Sequence, residues 1–438
     1  MEQLFRLKQR RTNIKTEIAA GVATYFSLLY IISVIVAMMT EAGIKEEAAF
    51  SSVVFSSGIG CIIMGLLANY PVALAPSLGV TALFSSTICG RMGYSWQAGL
   101  AAVFVEGILF LLIALTGVRK EIMLSIPSHL KNAISAGIGF FLAFIGLKNC
   151  GIIVSDEHNF VALGKIFDAE VMVSILGIVI LLLLIIRKIK FPIIKGMAAT
   201  AVIGLIVSFF SDSAHLPRIP HGNFFLQLTD ANFGAYTTGF FELFSSLNVV
   251  TIVISILFVD FFDTTGTLIA VISRSKLPTV NGEPENLDRA LMSDALGTMV
   301  GAVLGATSVS SYVESEAGIE SGGRTGLTAV TTGILFLFSI FLYPIFSLMT
   351  VCVTSPVLVI VGSLMVHQFA KIDWGNYTEA VSSFATVIMM LLTYSIADGI
   401  AFGFIIYGLA SLFHGRYKDV SPLMWVMIGL FAIYFLLI

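Results

Sequence analysis

Asp260 and Asp263, in the run ILFVDFFDTTGTL, and Glu314, in SSYVESEAG, are carboxylates embedded in stretches otherwise fit for lipid. A carboxylate at the middle of a bilayer costs about 2.5–3.5 kcal/mol on insertion scales. Each one therefore calls for a physical reason. Asp260, Asp263, Thr264 and Thr267 fall at i, i+3, i+4 and i+7 and share one helix face. A polar face on an apolar helix looks into the protein, where it serves a ligand, a coupling ion or a neighbouring break in the backbone.

Glu314 belongs to the polar stretch 305–323, GATSVSSYVESEAGIESGG. Its residues 307–311 alternate small hydroxyl side chains around Val309 and run extended, after which 312–320 starts a helix. Such an interruption at membrane depth is tolerated only where it is buried in protein or lines a cavity. Glu314 then sits about one turn into the new helix, where unpaired backbone N–H groups favour an anion or a hydrogen-bonding ligand. Glu316 points elsewhere, towards a polar interface, and Glu320 and Arg324 approach an aqueous end. Glu106 and Asp294 are buried by position and fit either helix–helix hydrogen bonds or proton coupling. Asp398, before Gly399, marks a turn or helix start, and His367 is expected near a loop. Tyr25, Phe26, Tyr30 and Phe84 offer either stacking surfaces for a flat ring or ordinary packing.

The elements that position these groups follow from composition. Of 438 residues, 57% are hydrophobic and 12% charged, with a mean hydropathy of +0.96, whereas soluble domains carry roughly 25% charged residues. This is the composition of a polytopic membrane protein without a sizeable soluble domain. A net charge of −3 supplies no basic surface for nucleic acid. Cys61, Cys89, Cys150 and Cys352 lack metal-ligand or disulfide spacing and read as small core residues. No cofactor or metal motif is found. The glycine-rich nucleotide loop of an ATP-driven pump is also missing, so an ion gradient is the expected driving force. The opening MEQLFRLKQRRTNIKTE is basic but lacks the short apolar region and cleavage site of a signal peptide.

The predicted fold is all-α and polytopic. Seven segments are expected near 14–39, 47–68, 77–90, 93–117, 131–153, 170–187 and 192–210, forming a first repeat over 1–210. An extracellular linker, 211–245, leads to a second repeat over 246–415 with segments near 246–272, 289–304, 312–321, 325–350, 354–370, 377–393 and 396–413. An apolar tail, 416–438, closes the chain, and its run 422–438 is short for a span. Lys8, Arg10, Arg11 and Lys15 put the N-terminus inside. The same parity puts Arg119, Lys120, Arg187, Lys188, Lys190, Arg274, Lys276, Arg324, Lys371, Arg416 and Lys418 inside as well. Seven spans per half make the halves inverted, an arrangement in which substrate binds near the midplane between broken helices in corresponding positions. The partner of 305–323 is NYPVALAPSLGVTALF: a short strand over 72–75, an extended break enforced by Pro76, and Ser77 as helix cap.

On these residues the chain resembles the nucleobase cation symporter superfamily, in its AzgA-like branch of hypoxanthine, guanine and adenine permeases. The resemblance runs nearly end to end, through TEIAAGVATYFSLLYII, FVDFFDTTGTLIAV, LMSDALGTMVGAVLGATSVSSYVES, AGIESGGRTGLTAV and ADGIAFGFIIYGL. It implies fourteen helices in two inverted repeats of seven, with short strands in the broken third and tenth segments. It also implies a core domain (14–117 plus 246–350) and a gate domain (118–210 plus 351–438). The eighth-segment acid that binds the base would be Asp260 and the tenth-segment acid Glu314. Two departures stand out. The family's third segment usually reads APGMGLNAF, whereas APSLGVTALF here puts Ser77 and Thr81 at altered positions, with one hydroxyl where an Asn would offer an amide. Glu316 stands where a small residue is usual.

The expected activity is uptake of a purine base with protons across a bacterial cytoplasmic membrane, and not an enzymatic reaction. Expected substrate contacts are Asp260, Glu314, Thr264, Ala75, Ser77, Thr81 and Tyr25. Expected ion-coupling groups are Asp263, Asp260 and Glu314. The partners would be a nucleobase, H⁺ and the membrane, with a homodimer as an open option. One alternative is an anion exchanger of the same inverted fold, which acids beside the breaks disfavour. The other is an intramembrane aspartyl protease, which needs aspartates facing each other across helices and a GxGD-type motif.

Overall fold

The computed structural model describes residues 2–116, 125–156, 158, 160–211, 213, 216–218, 232–245, 248–275, 279–280, 283–415, 417–418 and 420–437. Arg119, Lys120, Lys276, Arg416 and part of the expected 211–245 linker, chiefly 219–231, lie outside them.

Helix starts are written in the sequence. The Asn13 side chain accepts the Thr16 N–H and opens helix Ile14–Glu41; Thr325, Asn376 and Ser395 cap Gly326–Phe338, Tyr377–Leu392 and Ile396–Phe413 in the same way. Asn69, in the left-handed region at φ 57°, ends the long run Glu46–Ala68. Among the described residues, eight helices are long and apolar enough to cross a membrane. Pro192–Ser208, Tyr377–Leu392 and Pro422–Ala432 are shorter apolar helices. Part of the expected linker is itself helical: Tyr236–Phe244 packs against Trp96–Thr116.

The helices pack in two groups. In the first, Ile14–Glu41, Glu46–Ile63, Trp96–Thr116, Val249–Ser275, Leu287–Val303 and Gly326–Phe338 enclose both broken segments. In the second, Ser128–Asn149 packs on Val351–Met365, Tyr377–Leu392 and Ile396–Phe413, with Ala169–Ile186 and Pro192–Ser208 outside. Small residues let helices touch backbone to backbone, as is usual in membranes. A Cβ added to Gly326 would lie 1.9 Å from the Gly65 carbonyl oxygen.

The first broken segment forms strand Leu74–Pro76, one residue later than expected at its end, then helix Leu78–Ala82, which continues in wider turns to Arg91. The second forms strand Val309–Ser311, a tight turn Val313–Ser315 and helix Glu316–Glu320. The two strands pair antiparallel, Leu74 opposite Ser311, Ala75 opposite Ser310 and Pro76 opposite Val309. Pairing answers a local need, since each break exposes backbone N–H and C=O groups with no water to receive them. The ladder extends through Ser77 N–H to the Ser308 carbonyl (2.8 Å) and Tyr312 N–H to the Ala73 carbonyl (3.2 Å).

Candidate functional site

Ser77 leaves the first strand and caps the helix that follows, accepting the Val80 N–H at 3.2 Å. Its hydroxyl proton points the other way, donating to Asp263 Oδ2 at 2.5 Å. Ser310, from the second strand, donates to the same oxygen at 3.1 Å. Asp263 on helix Val249–Ser275 is thus held by one hydroxyl from each repeat. Below it, Thr267 donates to the Asp263 carbonyl at 2.7 Å and lies 2.8 Å from the Ser311 hydroxyl.

Glu314 follows the second strand by three residues. Tyr30, from helix Ile14–Glu41, donates its hydroxyl to Glu314 Oε1 at 2.5 Å. Between the acids, Tyr312 donates to the Pro76 carbonyl at 2.5 Å and lies within electrostatic reach of both carboxylates. Asp263 and Glu314 both keep accessible surface, whereas Ala75, Ser77, Thr81, Asp260 and Thr264 are wholly enclosed.

The sequence candidates therefore part company. Ser77, Asp263 and Glu314 converge on the strand crossing. Thr81 turns into the protein: its hydroxyl donates to the Ser77 carbonyl at 2.6 Å and sits 2.6 Å from the Thr307 hydroxyl. Thr264 donates to Asp294 at 2.9 Å, a helix–helix bond of the kind expected for a buried Asp294. Tyr25 pairs with Ser339 at 2.7 Å and packs edge-on against Phe336. Ala75 supplies backbone, opposite Ser310. Three groups that sequence reasoning passed over or undervalued hold this crossing: Tyr30, Ser310 and Tyr312. The alternating hydroxyls of 307–311 were the available signal for Ser310. Among the described residues no cluster of His, Cys, Asp or Glu could hold a metal ion.

Helices interrupted by paired strands at membrane depth, with acids and hydroxyls facing the crossing, define a multi-pass membrane transporter. The fold agrees with a solved structure, the transmembrane domain of a cyanobacterial bicarbonate transporter BicA, at a TM-score of 0.67 over 88% of this chain and 97% of that one. At 16% identity this establishes the inverted-repeat fold and not the cargo. The Xan_ur_permease family, described as "Permease family", matches residues 15–402, and the chain belongs to it. Similar relatives include the guanine/hypoxanthine permease PbuG of Bacillus subtilis, 37% identical over all of this chain and 99% of its own length. Another is the adenine permease AdeQ of Escherichia coli, 35% identical over all of this chain and 96% of its own. The protein is thus a member of the purine nucleobase permeases and not an enzyme.

Proposed function

We propose that this permease imports a neutral purine base by proton symport and holds it between the two broken segments. The observation that carries the reading is the pair Asp263 and Glu314, the two site carboxylates that keep accessible surface at the strand crossing. Carboxylate oxygens accept the N–H groups a purine presents along its edge, and either acid can carry the coupled proton. Ser77 and Ser310 orient Asp263. Asp260, enclosed one turn earlier on the same helix, belongs to the proton path. Thr81, Thr264 and Ala75 are supporting residues that keep the crossing rigid.

In this reading the helix group that encloses the breaks is the moving core and the other group its gate. Sliding one against the other exposes the crossing to each side in turn, with the N-terminus cytoplasmic. An anion as cargo is disfavoured, because it would meet two carboxylates.

The test is uptake of radiolabelled hypoxanthine, guanine and adenine into proteoliposomes with and without an inward proton gradient. The reading expects gradient-dependent uptake of at least one base, reduced more than tenfold by Glu314→Gln and by Asp263→Asn. Uptake indifferent to a collapsed gradient refutes the coupling. Wild-type uptake by Glu314→Gln refutes the site.

A further inference from the structure

We infer that Tyr30 is a positioning residue for substrate recognition, acting through Glu314; the inference rests on the site proposed above. Its hydroxyl lies 2.5 Å from Glu314 Oε1, the length of a charge-assisted O–H···O⁻ bond, which is roughly twice as strong as a neutral one. Tyr30 is 1% exposed and among the largest fully buried side chains, so the donor is fixed by the packing of helix Ile14–Glu41 and has no solvent to turn to. Glu314, in contrast, sits in a tight turn just after a strand, a local structure that leaves a long side chain several rotamers. The phenol selects one of them.

Two consequences follow for the ligand. With Oε1 accepting from Tyr30, the Glu314 carboxylate is held in one orientation and keeps acceptor capacity for a ligand N–H. Asp263 is treated the same way, its Oδ2 taken by Ser77 and Ser310. The crossing thus offers two separately oriented acceptor groups, one at each acid, which a planar heterocycle carrying two separated N–H groups can meet. Tyr30 also joins the site to a helix of the first repeat, whereas both acids come from the second.

The experiment compares Tyr30→Phe with Tyr70→Phe in hypoxanthine uptake. Tyr70 is a buried tyrosine whose hydroxyl donates to the Glu285 carbonyl at 2.7 Å, away from the crossing. Both variants lose one buried hydroxyl bond, so a merely structural role lowers thermal stability alike in both and leaves KM alone. The inference expects Tyr30→Phe to raise KM for hypoxanthine about tenfold with maximal velocity within about twofold, and Tyr70→Phe to keep the wild-type KM. Ligand-induced thermal stabilisation of the purified protein should weaken in parallel for Tyr30→Phe only. An unchanged KM in Tyr30→Phe, with Glu314→Gln impaired, overturns the role of Tyr30 and leaves the site standing. A normal KM in Glu314→Gln overturns the site reading itself.

Discussion

Glu17 is fully enclosed in the first turn of helix Ile14–Glu41, yet none of its work is done in that helix. Its Oε1 accepts the Arg324 N–H at 2.9 Å, and its Oε2 accepts the Thr325 N–H at 3.2 Å and the Thr328 hydroxyl at 2.6 Å. These donors lie at the start of helix Gly326–Phe338, so a carboxylate of one crossing caps another more than 300 residues away. Glu17→Gln keeps the shape but turns an amide NH₂ towards an N–H donor, leaving at least one buried donor unpaired. Breaking a buried charged partnership of this kind costs about 3–5 kcal/mol. With about 2.1 cal/mol/K of unfolding entropy per residue, a chain of 438 residues gains roughly 0.9 kcal/mol/K, so Tm should fall by about 3–5 °C. Glu242 is the matching control. It accepts the Ser95 N–H at 2.9 Å and the Ser95 hydroxyl ahead of helix Trp96–Thr116, but it is exposed. Water replaces what Glu242→Gln removes, and the shift should stay below about 1 °C. The assay is thermal unfolding of the detergent-purified variants. A Glu17→Gln shift under 1 °C, or equal shifts for both variants, refutes the reasoning.

Two further predictions concern the boundary between helix groups and the altered third segment. Arg91 pairs with Asp398 at 3.1 Å and also donates to the Thr393 carbonyl at 3.0 Å, linking the two groups. Because the Arg91 side chain is 42% exposed, the pair is screened, and a thermal double-mutant cycle of Arg91→Gln with Asp398→Asn should return a coupling of about 0.2–1 kcal/mol; strictly additive shifts count against it. Thr81→Asn must place an amide where Thr81 and Thr307 now share a hydroxyl contact in a fully enclosed space. It should destabilise the protein by about 1–3 kcal/mol without tightening hypoxanthine binding, whereas a ligand thermal-shift series with tighter binding would show that the side chain reaches the crossing.

The breaks were legible because they are local. Pro76 cannot continue a helix, Ser77 is a cap type, and the hydroxyl alternation of 307–311 announces an extended run. Glu314 was legible as a charge out of place. Partnerships were not, because they join residues 30 to 314 positions apart on different elements. The i, i+3 spacing puts Asp260 and Asp263 on one face, but only the approach of Ser77 and Ser310 from opposite repeats decides that Asp263 meets the crossing while Asp260 is enclosed. Thr81 was visible as a departure from the family pattern; its turn towards Thr307 depends on a strand from the other half. Tyr25 and Tyr30 lie five residues apart on one helix, and their sequence surroundings do not say which meets Ser339 and which meets Glu314. Nothing in the sequence around Glu17 marks it, since its partners Arg324, Thr325 and Thr328 lie in the other half of the chain.

The shared fold sharpens the question of cargo. Helix N-termini facing a crossing at membrane depth present N–H groups and a positive dipole end, which by themselves favour an anion. In this chain those ends are already answered from within. Ser77 takes the Val80 N–H in the first broken segment, and in the second, acidic Glu314 and Glu316 stand where the new helix begins. Asp263 adds a carboxylate between the two. The same backbone arrangement that suits an anion when its helix ends are bare becomes, with these side chains, an acceptor-rich surface for a neutral ligand with N–H donors. In the proposed reading cargo is set by a few side chains at the strand crossing and not by the shared fold. For that reason Glu314→Gln and Asp263→Asn should lose purine uptake while leaving the crossing strands paired.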